Sequence, residues 1–280
     1  MLLRFRVALL AVVALIGGCA AGPADPVDVA AELAEDLSAI PGAMPVEPHL
    51  MSMTVDMSPD ATDEQVRDAA HRVVRLAGDA DYLGTVDLAR PGPDAGASDS
   101  IRERTWTVRL HPPESAEDPD ALTDILAIER LGGVRGITVI DGWPYVTIDS
   151  IEQFSDRFHG IRDLALFRDG GTYTLFSDEH LRIVHVPSRT STEAIDVIIG
   201  IARDHPDAEV LLEAMTDGPQ WPKLWVARLT PDEVADIDRL LRDPGLADAD
   251  VEGHPLDYQL TTVGDDGPVY TEGTFGDVPH

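Results

Sequence analysis

Cysteine and lysine are almost absent: the 280 residues hold one of each, Cys19 and Lys223. A single cysteine excludes a disulfide framework and a cysteine-based zinc site. Basic residues of either kind are scarce, with 21 Lys and Arg against 51 Asp and Glu and a formal net charge of −30. A phosphate backbone would meet repulsion and no basic patch, which argues against nucleic acid as a partner. Aromatics reach only 5%, so the core falls to Val, Ile, Leu and Ala. No Gly-x-Ser-x-Gly, His-Glu-x-x-His or Gly-rich phosphate loop occurs, so the familiar hydrolase, zinc-protease and nucleotide signatures are missing. Against these gaps stands a hydrophobic content of 44%, enough for a packed core.

The N-terminus carries a processing signal. Arg4 and Arg6 form a short positive region, Val7 to Ile16 is an unbroken apolar run, and Gly17-Gly18-Cys19 follows. The run is too short to span a bilayer, which needs ~20 apolar residues, but it suits the apolar segment of a signal peptide. Ile16-Gly17-Gly18-Cys19 resembles the bacterial lipobox, with Ile in place of the commoner Leu. That resemblance implies cleavage before Cys19 and acylation of its side chain. It places the protein on the outer face of the bacterial cytoplasmic membrane. Loss of residues 1–18 leaves 19 basic against 51 acidic residues, a net charge of −32. Anionic headgroups repel such a body, so the membrane contact has to come from the acyl chains, more than one of which is needed for stable anchoring.

Residues 19–49 read as a tether, stiffened by Pro41, Pro45 and Pro48. Beyond it, strand-like segments alternate with helices that open on a capping box, in which Ser or Thr and a Glu or Gln three residues on satisfy two backbone donors reciprocally. The pairs are Thr62/Gln65, Ser150/Gln153, Thr190/Glu193 and Thr230/Glu233, the last with Pro231 at the first helical position. A further helix is expected near Asp118-Pro119. Ile195, Ile198, Ile199 and Ala202 lie on one helical face, whereas Trp106, Val108 and Leu110 alternate as in a strand covered on one side. The order predicts an α+β fold of repeated ferredoxin-like βαββαβ units, mainly antiparallel, with helices on one face. Its parts are a unit over 50–141, a second over 142–215, a half unit over 216–263 and a flexible tail over 264–280. Residues 164–176 are expected to form a hairpin turning at Arg168–Gly171, and an Asp-Gly-Trp-Pro echo at Asp141 and Asp217 supports repetition.

Candidate sites are few. Asp248, Asp250, Glu252 and His254 flank Gly253 at a spacing that resembles the start of an EF-hand calcium loop. The likeness breaks at Pro255 and Gln259, and the alternative is an acidic loop turned to solvent. The histidines show no metal spacing on a helix; His71 reads as solvated, His111 and His185 as packed. Trp143 and Trp221, beside Gly-Pro corners, are packing anchors or contact residues. The expected role is an envelope interaction or structural module that meets a protein or a wall polymer, without turnover and with no cofactor beyond a calcium ion. The alternatives are a carboxylate- or metal-dependent hydrolase and a solute-binding lipoprotein.

Overall fold

The structure is a computed structural model, and it describes residues 25–92, 104–113, 121–140, 142–176, 180–184, 186–187, 190, 192–214, 222–251, 253–264 and 267–277. Cys19, Trp221, Glu252 and His185 lie outside them.

Five βαβ segments follow one another. They are β1 (Ser52–Asp56), α2 (Asp63–Asp79), β2 (Thr85–Pro91); β3 (Arg104–His111), α3 (Ala121–Leu131), β4 (Val134–Ile140); and β5 (Trp143–Ile148), α4 (Ile151–Arg162), β6 (Thr172–Leu175). The fourth is β7 (Leu181–Val184), α5 (Thr192–Asp204), β8 (Glu209–Glu213). The fifth is β9 (Lys223–Leu229) and α6 (Pro231–Leu241), returning through the small hairpin β10 (Asp250–Val251) and β11 (His254–Pro255) to β12 (Asp257–Gly264). A first helix, α1 (Pro26–Ser38), precedes them and β13 (Gly267–Thr274) ends the sheet. Both fall in stretches expected to be a tether and a tail. α1 instead buries Ala30, Leu33, Ala34 and Leu37, and β13 pairs with β12 along its whole length.

The ferredoxin-like expectation is overturned. The described strands form one eleven-stranded sheet in chain order, β1 through β9 and then β12 and β13. Each strand pair that brackets a helix hydrogen-bonds directly and in parallel, as in Met53↔Val86 and Ile183↔Leu212. A ferredoxin-like unit would put a returning strand between them. Parallel and antiparallel pairs therefore alternate, five of each. The hairpin foreseen over 164–176 is a turn of 3-10 helix at Ala165–Phe167 followed by the single strand β6, because Phe167 is buried.

Neighbouring helices touch each other on one side of the sheet. Arg130 of α3 pairs with Asp63 of α2 at 2.6 Å, His159 of α4 with Asp196 of α5 at 2.8 Å, and His205 beyond α5 with Glu233 of α6 at 3.0 Å. The chain reverses at each hairpin while the sheet advances one way, so crossovers packed on one face must alternate in hand. Some are then of the uncommon left-handed kind.

Helix positions follow from local chemistry. α2 and α6 open on complete capping boxes at Thr62/Gln65 and Thr230/Glu233. α4 starts after Ser150 as expected, but that side chain makes no cap bond. Under the helices runs one register row, Trp106, Ile137, Val146, Tyr173, Ile183, Leu212, Leu224 and Tyr258, crossing eight strands. Every member is buried. Met53 and Met57 join that core, while Met51 before β1 stays exposed.

Candidate contact face

The residues between those core positions point away from the helices, and among the described residues no helix packs on them. One row reads Thr107, Thr138, Tyr145, Thr172, Val184, Glu213, Lys223, Asp257 and Thr274 across β3 to β13. The next reads Gly136, Thr147, Thr174, Arg182, Leu211, Trp225, Gln259 and Glu272. A chain with 51 acidic residues places none of them on this face of β4, β5, β6 or β7.

This acid-free window holds rings and hydroxyls. Tyr145 is 41% exposed and Phe176, one residue past β6, is 44% exposed. The Arg135 guanidinium lies 3.9 Å from the centre of the Phe176 ring, a cation–π stack that holds both planes. Trp143 shares the face. Its indole N–H donates to Thr172 Oγ1 at 3.0 Å, and Thr172 is buried. Trp143 is thus half-buried, with a structural bond and an accessible edge, rather than a core anchor. Arg182 stands exposed among the threonines.

Charge returns on both flanks. Arg109 binds Asp87 at 3.0 Å on one side. On the other, the single lysine, Lys223, donates to Gln259 at 2.9 Å and to Glu272 at 3.0 Å, with its ammonium 5.8 Å from the Trp225 ring centre.

The opposite side of the molecule has a cleft of about 560 Å³ between α5 and α6. Val197, Ile201 and Ile237 line its floor, with Asp196, Asp204 and Asp236 at its rim. Beside it, Ser155 and His159 both donate toward Asp196 Oδ1, at 2.6 and 2.8 Å. Burial pulls the Asp196 carboxyl up, but the bonds from Ser155 and His159 outweigh it and hold it low. A nucleophilic triad has the histidine between serine and carboxylate. Here the carboxylate is the centre, so neither hydroxyl nor imidazole is activated, and the group joins α4 to α5. At the start of α6, the Thr230 backbone N–H, the Thr230 hydroxyl and His205 hold the Glu233 carboxyl down to about 2.

Of the residues of the calcium reading, Asp248, Asp250 and His254 are described and Glu252 is not. The Asp250 carboxylate accepts from Gly253 N at 2.8 Å, closing the β10–β11 turn in which Gly253 takes φ +85°. Asp248 is exposed and His254 half-buried. Among the described residues no group of three or more His, Cys, Asp or Glu is placed to hold a metal ion. His71 is exposed on α2, and His111 is buried with Nε2 at 2.7 Å from the Tyr82 carbonyl.

On this face the sequence singles out Trp143 and not Tyr145, Phe176 or Arg182. The signal was the strand alternation itself: Trp143, Tyr145 and Thr147 occupy the positions opposite Val146 and Ile148. Comparison with protein-family models, curated proteins and solved structures finds no match to this chain.

Proposed function

We propose that the protein is a lipid-anchored contact module of the bacterial envelope, with the open face of its sheet as the contact surface. The observation that carries the reading is the acid-free, ring-bearing window on a chain of net charge −30. Interfaces deplete Asp, Glu and Lys at their centre and enrich Tyr, Trp and Arg. The anchor reading fits the same picture. Cys19 lies seven residues before Pro26, where α1 begins, and seven residues reach no more than about 25 Å. Acyl chains at Cys19 would therefore hold the folded body close to the bilayer.

The test is a photo-crosslinking amino acid at position 174, in the window, and at position 68, an exposed site on α2, both in the native host. Crosslinks to an envelope component from 174 and none from 68 support the reading. Equal yields from both sites refute the face. Cys19→Ala should leave an unprocessed precursor; normal cleavage and release of that variant would remove the anchor.

A further inference from the structure

We infer that the acid-free window takes an uncharged glycan chain, its sugar rings on Tyr145 and Phe176 and its hydroxyls on the threonines and Arg182. The inference rests on the contact reading above and names the partner.

Charge decides the class. Asp and Glu are disfavoured in strands generally, so propensity alone would thin them across the whole sheet. They are present on this same face at Asp56, Asp87, Glu209, Glu213, Asp257 and Glu272, and are missing from the five adjacent strands β3–β7 and again from β9. A cationic partner would find no carboxylate on β4–β7 and only Asp149, one residue past β5, at the edge of the window. An anionic polymer would have to approach a strongly acidic body, whose field is screened over ~8 Å at physiological salt. An uncharged partner meets neither obstacle.

Side-chain chemistry then separates glycan from protein. Protein hot spots favour Trp, Tyr and Arg, but threonine is under-represented in them. The window carries Thr138, Thr147, Thr172 and Thr174 on three adjacent strands. Each threonine hydroxyl both donates and accepts, and the guanidinium of Arg182 offers a planar fork of donors. A sugar ring presents the complement: a C–H face that lies on an aromatic ring, and hydroxyls around its edge. Thr172 is already engaged by Trp143, which leaves Thr138, Thr147 and Thr174 to the ligand.

Spacing favours a chain over a single sugar. Tyr145 pairs with Thr172, and Phe176 lies four residues further along, roughly 14 Å away at strand rise and spacing. The face is an open sheet, so nothing on it would enclose a monosaccharide.

The test uses the full chain, solubilised in a zwitterionic detergent, on an array of bacterial envelope glycans that includes neutral, uronate-bearing and phosphate-bearing chains. We expect saturable binding to at least one neutral glycan. Tyr145→Ala/Phe176→Ala should weaken it by about tenfold or more while leaving the melting temperature near that of the parent. Arg182→Gln should weaken it several-fold, and raising salt from about 50 to about 500 mM should leave it nearly unchanged. Preference for acidic glycans, binding that survives the double variant, or no saturable binding on the array overturns the inference. A blank array combined with a protein crosslinked at position 174 refutes the glycan and leaves the contact face standing. A blank array with no crosslink at 174 removes both.

Discussion

Replacing Thr230 with alanine removes the N-cap of α6 and tests how that helix is held. Three bonds meet there. Thr230 Oγ1 accepts from Glu233 N at 3.4 Å, Thr230 N donates to Glu233 Oε2 at 2.7 Å, and the Thr230 hydroxyl donates to the same oxygen at 2.7 Å. The substitution deletes both hydroxyl bonds and leaves the backbone one. N-cap losses of this kind cost about 1 kcal/mol, or roughly 2–4 °C in Tm for a domain of this size. The Glu233 side chain is 36% exposed, so water and salt screen the charge-dependent part of its stabilisation. The pH dependence has a definite sign. The folded-state pKa of Glu233, about 2, lies below the ordinary 4.5. Its stabilisation is therefore complete above pH ~4.5 and fades as the pH falls toward ~2. Urea unfolding at pH 7, 4 and 2.5 should show the wild type and Thr230→Ala converging as Glu233 protonates, with Thr230→Ser staying near wild type throughout. A gap that is absent at pH 7, or that stays constant down to pH 2.5, would refute the reasoning.

Other substitutions probe the body and the face. Glu129 accepts from Arg90 at 2.8 Å and from the Trp106 indole at 3.4 Å in a largely buried setting. Glu129→Ala strands both donors and should cost about 3–5 kcal/mol in urea unfolding. The Tyr173 hydroxyl is buried without a hydrogen-bond partner among the described residues, so Tyr173→Phe should leave Tm unchanged or raise it. A Cβ at Gly171 would sit 2.7 Å from the Phe167 ring, and Gly171→Ala should cost about 1–3 kcal/mol through that overlap. Trp106 is fully buried, so Trp106→Ala should cost about 3–5 kcal/mol. Trp143→Ala should cost distinctly less, and equal costs would place Trp143 in the core.

The elements were legible in the sequence, and their pairing was not. Capping chemistry is local, so Thr62 and Thr230 marked helix starts that the structure keeps. Strand segments such as Arg104–His111 and Trp143–Ile148 were readable because one side chain in two is buried. That same alternation pointed to a mainly antiparallel sheet, since parallel strands are ordinarily covered on both faces and lose the period. Here every helix sits on one side, so the parallel strands alternate as cleanly as the antiparallel ones. Nothing within a strand reports which neighbour it meets; Met53 could have faced Val86 directly or across an intervening strand with the same pattern. The tail reads as flexible in the sequence because its apolar residues are few. β13 leaves Val269 and Tyr270 more than half exposed and is held by its ladder to Tyr258, Leu260 and the rest of β12.

The contact face shows why composition concealed what register reveals. An excess of 51 acidic over 21 basic residues reads as a uniformly negative surface, and in that view each threonine or tyrosine is an ordinary strand residue. Tyr145, Thr174 and Arg182 are separated by loops and helices in the chain, and only the pairings Tyr145↔Thr172 and Thr174↔Arg182 bring them to one surface. Each strand contributes two or three outward positions, too few to look depleted of carboxylate alone. The absence becomes informative when the five adjacent strands β3 to β7 share it and β2 and β8, with Asp87, Glu209 and Glu213 on the same face, do not. That contrast is independent of how strongly negative the whole chain is. It ties the face to a partner that a carboxylate would hinder.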